Sequence, residues 1–161
     1  MLKRGYHHGN LKEALVAAAL RLIAEKGPNG FTLSEAAREA GVTPAAVYRH
    51  FQGRDDLIAE ASRQGYEMFA DLLEHAYAKG QPSALASFEA TARAYLAFAR
   101  KFPGHYVAMF ESGISARRTP ELLKAATRAQ GVMERAARDL SQHIPEAKRP
   151  PPAMFWAHVW A

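Results

Sequence analysis

Apolar positions recur at helical spacing along nearly the whole chain, and no stretch alternates convincingly with the period of a strand. Leu11, Leu15, Ala18, Leu22 and Ile23 mark a first helix over about residues 11–26, opened by a capping-box pair, Asn10 and Glu13, and stopped by Lys26-Gly27-Pro28. Thr32 with Glu35 repeats the capping pattern, Leu33, Ala36, Ala37 and Ala40 supply an apolar face, and Gly41 stands where a left-handed residue ends a short second helix. Thr43 caps a third helix that carries Pro44 at its first position, where a missing N–H costs nothing, and that runs to about Phe51. From Arg54 onward Leu57, Ile58, Ala61, Tyr66, Phe69, Leu72, Leu73 and Ala76 predict a long helix to Gly80-Gln81-Pro82, weakened in its middle by Gly65. Further helices are expected at about 83–101, 105–114, 119–142 and from 151 onward, divided by Phe102-Pro103-Gly104, Ser115 to Arg118 and the proline-rich segment Ile144 to Pro152. The class is all-α, with a three-helix head over 1–55 and a helical-bundle body over 56–161. The apolar run Ala153 to Ala161 ends without a cap, and the natural protein is expected to continue beyond it.

Two short helices joined by Gly41-Val42-Thr43 form a helix-turn-helix, an arrangement that holds its second helix proud of the body so that it can enter the major groove. If Val42, Val47 and Phe51 face inward, Pro44, Ala45, Tyr48 and Arg49 must look outward. That mixture suits DNA: a proline or alanine edge can touch a thymine methyl, and Arg49 can pair bidentately with guanine. Thr43 offers a hydroxyl and free backbone N–H groups to a phosphate, while also serving as an ordinary cap. Arg54 opens the fourth helix, where the helix dipole disfavours a cation, and a facing phosphate would explain it. Tyr48 and His50 can donate to phosphate oxygens, although either one exposed by itself is commonplace.

Composition sharpens this only modestly. The formal charge of +5 points mildly toward a polyanion and is equally compatible with a basic, solvated surface. The absence of cysteine excludes disulfides, thiolate zinc sites and thiol nucleophiles, and is consistent with a reducing cytoplasm. The first ten residues carry no signal-peptide core, and no apolar run approaches the roughly 20 residues that span a bilayer. No nucleophile–base–orienter set, phosphate-binding glycine loop or metal-binding spacing occurs. Adjacent His7 and His8 point apart and make a poor metal pair, so neither catalysis nor a cofactor nor a metal is expected.

The run FTLSEAAREAGVTPAAVYRHFQGRDDL resembles the DNA-binding head of the TetR/AcrR family of bacterial regulators, over about residues 10–60. The resemblance implies that Tyr48 and His50 contact backbone phosphates, that Thr43, Pro44, Ala45 and Arg49 approach bases or backbone, and that Arg54 replaces a customary lysine with its charge kept. Thr32, at the start of the second helix, completes the candidate DNA-contacting set. Gly5 to Leu11 also resembles the opening of a branch whose C-terminal part is called the WHG domain, and Phe155 to Trp160 is loosely similar to its end. Lys3 and Arg4 precede the first helix as either a basic arm along DNA or a plain tail.

The resemblance further implies a homodimer on a palindromic double-stranded operator and a small-molecule effector held in the body. Independently, the body is rich in aromatic and methionine residues, which line a pocket less often than they fill a core. Tyr95, Phe98, Met109 and His158 are the effector candidates. A reading from another class, a helical module that binds protein partners and never DNA, would leave the outward Tyr48, Arg49 and Arg54 as accidents.

Overall fold

The computed structural model describes residues 7–150, with side chains from residue 11 onward. Seven α-helices follow one another: α1 His7–Lys26, α2 Leu33–Glu39, α3 Pro44–Val47, α4 Arg54–Gly80, α5 Ala84–Lys101, α6 Pro103–Phe110 and α7 Pro120–Gln142. Short 3₁₀ turns at Ala116–Arg118 and Glu146–Lys148 complete the described order, in which no strand occurs. The basic arm at Lys3 and Arg4, the helix expected from 151 onward and His158 lie outside the described residues.

Four boundaries differ from the sequence reading. The first helix begins at His7, so Asn10 lies within it and does not cap it; a glycine at position 9 costs a helix about 1 kcal/mol and does not forbid it. Pro103 opens α6 where the pattern placed a break, because proline at the first helical position gives up only an N–H that has no partner there. The same helix stops at Phe110, short of 114, and Gly113 then takes a left-handed φ of 75°. Helix α3 has only four regular residues, since beyond Val47 the chain tightens: both His50 N and Phe51 N reach Val47 O, at 2.9 and 3.0 Å.

Two apolar clusters organise the molecule. The first joins Leu15, Ile23, Phe31, Ala36, Val47 and Phe51 of the head to Leu57, Ile58 and Ala61 at the start of α4 and to Ala108 of α6. The second gathers Phe69, Tyr95, Phe98, Met109, Val132 and Met133 from α4, α5, α6 and α7, with Tyr66, Tyr106 and Phe110 packed against it. Helix α4 contributes to both and is the spine of the fold. Its Gly65, the apparent weak point in sequence, is buried where Met109 of α6 crosses it.

Helix α6 bridges the clusters. Ala108 is fully buried in the first and Met109 nearly so in the second. The buried Ser62 hydroxyl of α4 lies 2.7 Å from Ala108 O and 2.9 Å from Ile58 O, sharing its single proton between them. One turn before Ala108, α6 meets α1 so closely that a Cβ at Gly104 would lie 2.5 Å from the backbone oxygen of Leu20. Because that neighbour is backbone, Gly104→Ala should push α6 away from α1 and lower stability by roughly 1–3 kcal/mol, the usual cost of overpacking. A thermal melt checks this; an unchanged midpoint would contradict the close α1–α6 contact.

Candidate nucleic-acid interface

The exposed end of the head is set by caps. Thr32 Oγ1 accepts from Glu35 N at 3.2 Å while the Glu35 carboxylate accepts from Thr32 N at 2.8 Å, closing the expected capping box on α2. The bond from the Thr32 backbone, followed by one from the Lys26 ammonium at 3.2 Å, holds the Glu35 carboxyl below the usual range. Gly41 takes φ 69°, a torsion open to glycine without strain, and Val42 N returns to Ala37 O at 2.9 Å. Thr43 then caps α3 through Ala46 N at 3.3 Å, with Pro44 in the first turn.

Rotation of α3 is decided by what it buries. Val47 is 0% and Phe51 4% exposed, and Val42 packs partly against the same cluster. Consequently Pro44, Ala45, Arg49 and His50 are exposed and Tyr48 is 60% exposed, the most open of the large hydrophobic side chains among the described residues. Thr32, Tyr48, Gln52, Arg54 and Asp56 share the wall of one cleft of about 560 Å³, which Arg118 of the body also lines.

Arg54 has company that the sequence reading did not supply. Its guanidinium reaches Asn29 Oδ1 at 3.2 Å and Asn29 O at 3.4 Å, with Asp55 at 3.6 Å, and its Nε is buried without a partner among the described residues. A cation at this dipole-disfavoured end is thus explained in part by the α1–α2 loop, and it remains one-third exposed on the cleft. Asp56 was also missed. Its carboxylate accepts from Gln52 N at 3.1 Å and from Arg118 Nη2 at 2.7 Å, and the Arg118 bond foremost holds that carboxyl below its usual range. An Asp three positions into a helix was legible as a helix-start signal; a partner 62 positions away was not.

Along the flank of α4, ion pairs tie it to α1 and α7. Burial raises the Glu60 carboxyl, but bonds from Arg63 and Gln64 and the charges of Arg63 and Lys12 outweigh it and hold the group down to about 2. Farther along, Arg128 of α7 reaches both Asp71 and Glu74 at 2.6 Å.

Comparison with known sequences gives this geometry its context. Residues 15–61 match the profile of bacterial regulatory proteins of the tetR family, and residues 88–161 match that of the tetracyclin repressor-like C-terminal domain. The chain belongs to the TetR family of bacterial regulators.

Among curated relatives, the HTH-type transcriptional regulator BetI of Rhizobium meliloti is 42% identical over 52 residues, 32% of this chain and 26% of that protein. The first curated relatives are matched over only about a quarter to a half of their lengths. A Rhodococcus sp. RHA1 protein of unknown function shares the fold at a TM-score of 0.74 with 26% identity, over 96% of this chain and 81% of that one. A tetR-family regulatory protein from Rhodococcus RHA1 superposes at 0.75 with 19% identity, over 91% and 78% of the two chains. The all-α, head-and-body reading of the sequence holds.

In the TetR-type body, the effector candidates within the described residues are interior. Tyr95, Phe98 and Met109 are 7%, 1% and 6% exposed, and Phe69 meets Tyr95 and Phe98 with ring centroids at 5.2 and 4.9 Å. The Tyr95 hydroxyl is nonetheless buried with no hydrogen-bond partner of ordinary geometry among the described residues; burial first, and then the neighbouring Tyr106 hydroxyl, raise its pKa. An unsatisfied buried hydroxyl costs about 1–3 kcal/mol, so Tyr95→Phe should leave the ligand-free protein as stable or raise its melting temperature. A clear loss of stability would show that the hydroxyl has a partner in solution.

Proposed function

We propose that this TetR-family regulator is an effector-responsive repressor that binds a palindromic operator as a homodimer in the cytoplasm. One observation carries the DNA-facing assignment: Val47 and Phe51 are buried, so Pro44, Ala45, Tyr48 and Arg49 form an exposed face on a short helix. The face combines groups suited to thymine methyls, guanine edges and phosphates. Thr32, Thr43, His50 and Arg54 stand around it as phosphate contacts, with the head taken to residue 55 and the body from 56. A two-fold pair of such heads would read two half-sites, which is why the operator should be palindromic. Among the described residues no helix is long and apolar enough to cross a membrane, in keeping with a cytoplasmic site of action.

The effector reading rests on the second cluster. An aromatic interior with a buried hydroxyl short of ordinary bonds offers stacking surface and a polar handle, and a largely apolar ligand carrying one polar group beside Tyr95 would give that hydroxyl a partner. Filling this interior would have to part helices α4 to α7, and α4 carries the displacement to the head.

The test compares variants of the full-length protein on DNA selected from a random pool, at two salt concentrations. Arg49→Ala should relax preference at one base position in each half-site, a loss of roughly 1–3 kcal/mol against the preferred base. Arg54→Ala should weaken binding on all sequences and flatten the salt dependence by about one unit per half-site. Tyr48→Ala should weaken binding without moving the melting temperature, because its side chain is mostly in solvent. If all three variants bind as the wild type does, this face is not the DNA-reading surface and the partner-binding module becomes the better account.

A further inference from the structure

Arg118 lies in the body, 64 positions after Arg54 and outside the matched head, yet its side chain lines the cleft that Thr32, Tyr48 and Arg54 also line. Its Nη2 donates to Asp56 Oδ1 at 2.7 Å, while Asp56 Oδ2 accepts from Gln52 N at 3.1 Å. One carboxylate therefore joins a body residue to the backbone of the bend Gln52-Gly53 that links the recognition turn to α4. The bend is short: Phe51 on one side is buried in the head core, and Arg54 on the other begins α4. Gly53 itself caps α4 without a side-chain bond.

The segment that ends in Arg118 touches both interiors. Met109 is buried in the aromatic cluster, with Tyr106 and Phe110 packed against it, whereas Ala108, Val107 and Ile114 belong to or pack against the head cluster. Asp56 also faces the cleft with a negative charge that would repel a phosphate, and Arg118 neutralises it at close range.

We propose that Arg118 is a positioning residue for DNA binding: through Asp56 it holds the Gln52–Gly53 bend, and with it the placement of Tyr48, His50 and Arg54 toward DNA. It rests on the reading of that face as DNA-contacting. A displacement of the segment from Pro103 to Arg118 would then be felt at the recognition turn through this carboxylate as well as through α4.

The experiment is a double-mutant cycle on selected operator DNA with full-length protein: wild type, Arg118→Ala, Asp56→Asn and the pair, each at two salt concentrations, with melting temperature and dimerisation recorded alongside. Arg118→Ala should weaken operator binding roughly fivefold, the upper range for an exposed ion pair, at an almost unchanged melting temperature. In the Asp56→Asn background the same substitution should cost little more, and Arg118→Lys should restore part of the binding. An equal loss in both backgrounds, with the salt slope reduced by about one per half-site, would make Arg118 a direct phosphate contact and overturn the positioning role. Unchanged affinity in Arg118→Ala would overturn it as well. Wild-type protein that shows no selective binding would instead sink the DNA-facing reading itself, so the two failures are distinguishable.

Discussion

Burial of Val47 and Phe51 in the apolar cluster of the head is the constraint on which the head depends. A helix with only four regular residues cannot hold its orientation by its own hydrogen bonds, because nucleation costs more than one turn returns. The two side chains anchor it, Thr43 fixes where it starts, and Gly41 lets the chain reverse between α2 and α3 without strain. Everything exposed on α3 is exposed as a consequence. Substituting the outward residues should therefore change recognition far more than folding, while substituting the inward ones should do the reverse.

A second dependence runs through α4 and α6. Helix α4 belongs to both apolar clusters, and α6 crosses it with Ala108 in one cluster and Met109 in the other. The buried Ser62 hydroxyl ties the crossing, and Gly104 brings α6 against the backbone of α1. Head and body are thus packed through backbone-close contacts, a poor arrangement for independent motion and a good one for passing a displacement from one to the other. The ion pairs along the flank, exposed as most are, add little stability but fix which groups of α4 face α7.

Much of the head was legible in the sequence because its signals are local. A threonine followed three positions later by a glutamate, a proline just inside a helix and a glycine just after one each act within a single turn, and Thr32, Pro44 and Gly41 stand where those rules placed them. The long helices α4, α5 and α7 were legible by periodicity for the same reason. What escaped was set by distant parts of the chain. Gly65 looked like a weakness and is a crossing point for Met109; Arg54 called for a phosphate and has Asn29; Asp56, missed among the site residues, holds Arg118. Pro103 shows the same limit on a smaller scale, since a proline that starts a helix and one that separates two look alike until the preceding residue's torsions are known.

The central claim, that the face of α3 reads DNA, is tested most directly by titrating full-length protein with its own upstream DNA and with random DNA at two salt concentrations. The account predicts tight, salt-sensitive binding that prefers the upstream DNA by a factor of at least about a thousand, the lower range for specific regulators. Equal, weak binding to both DNAs by a confirmed dimer would contradict it.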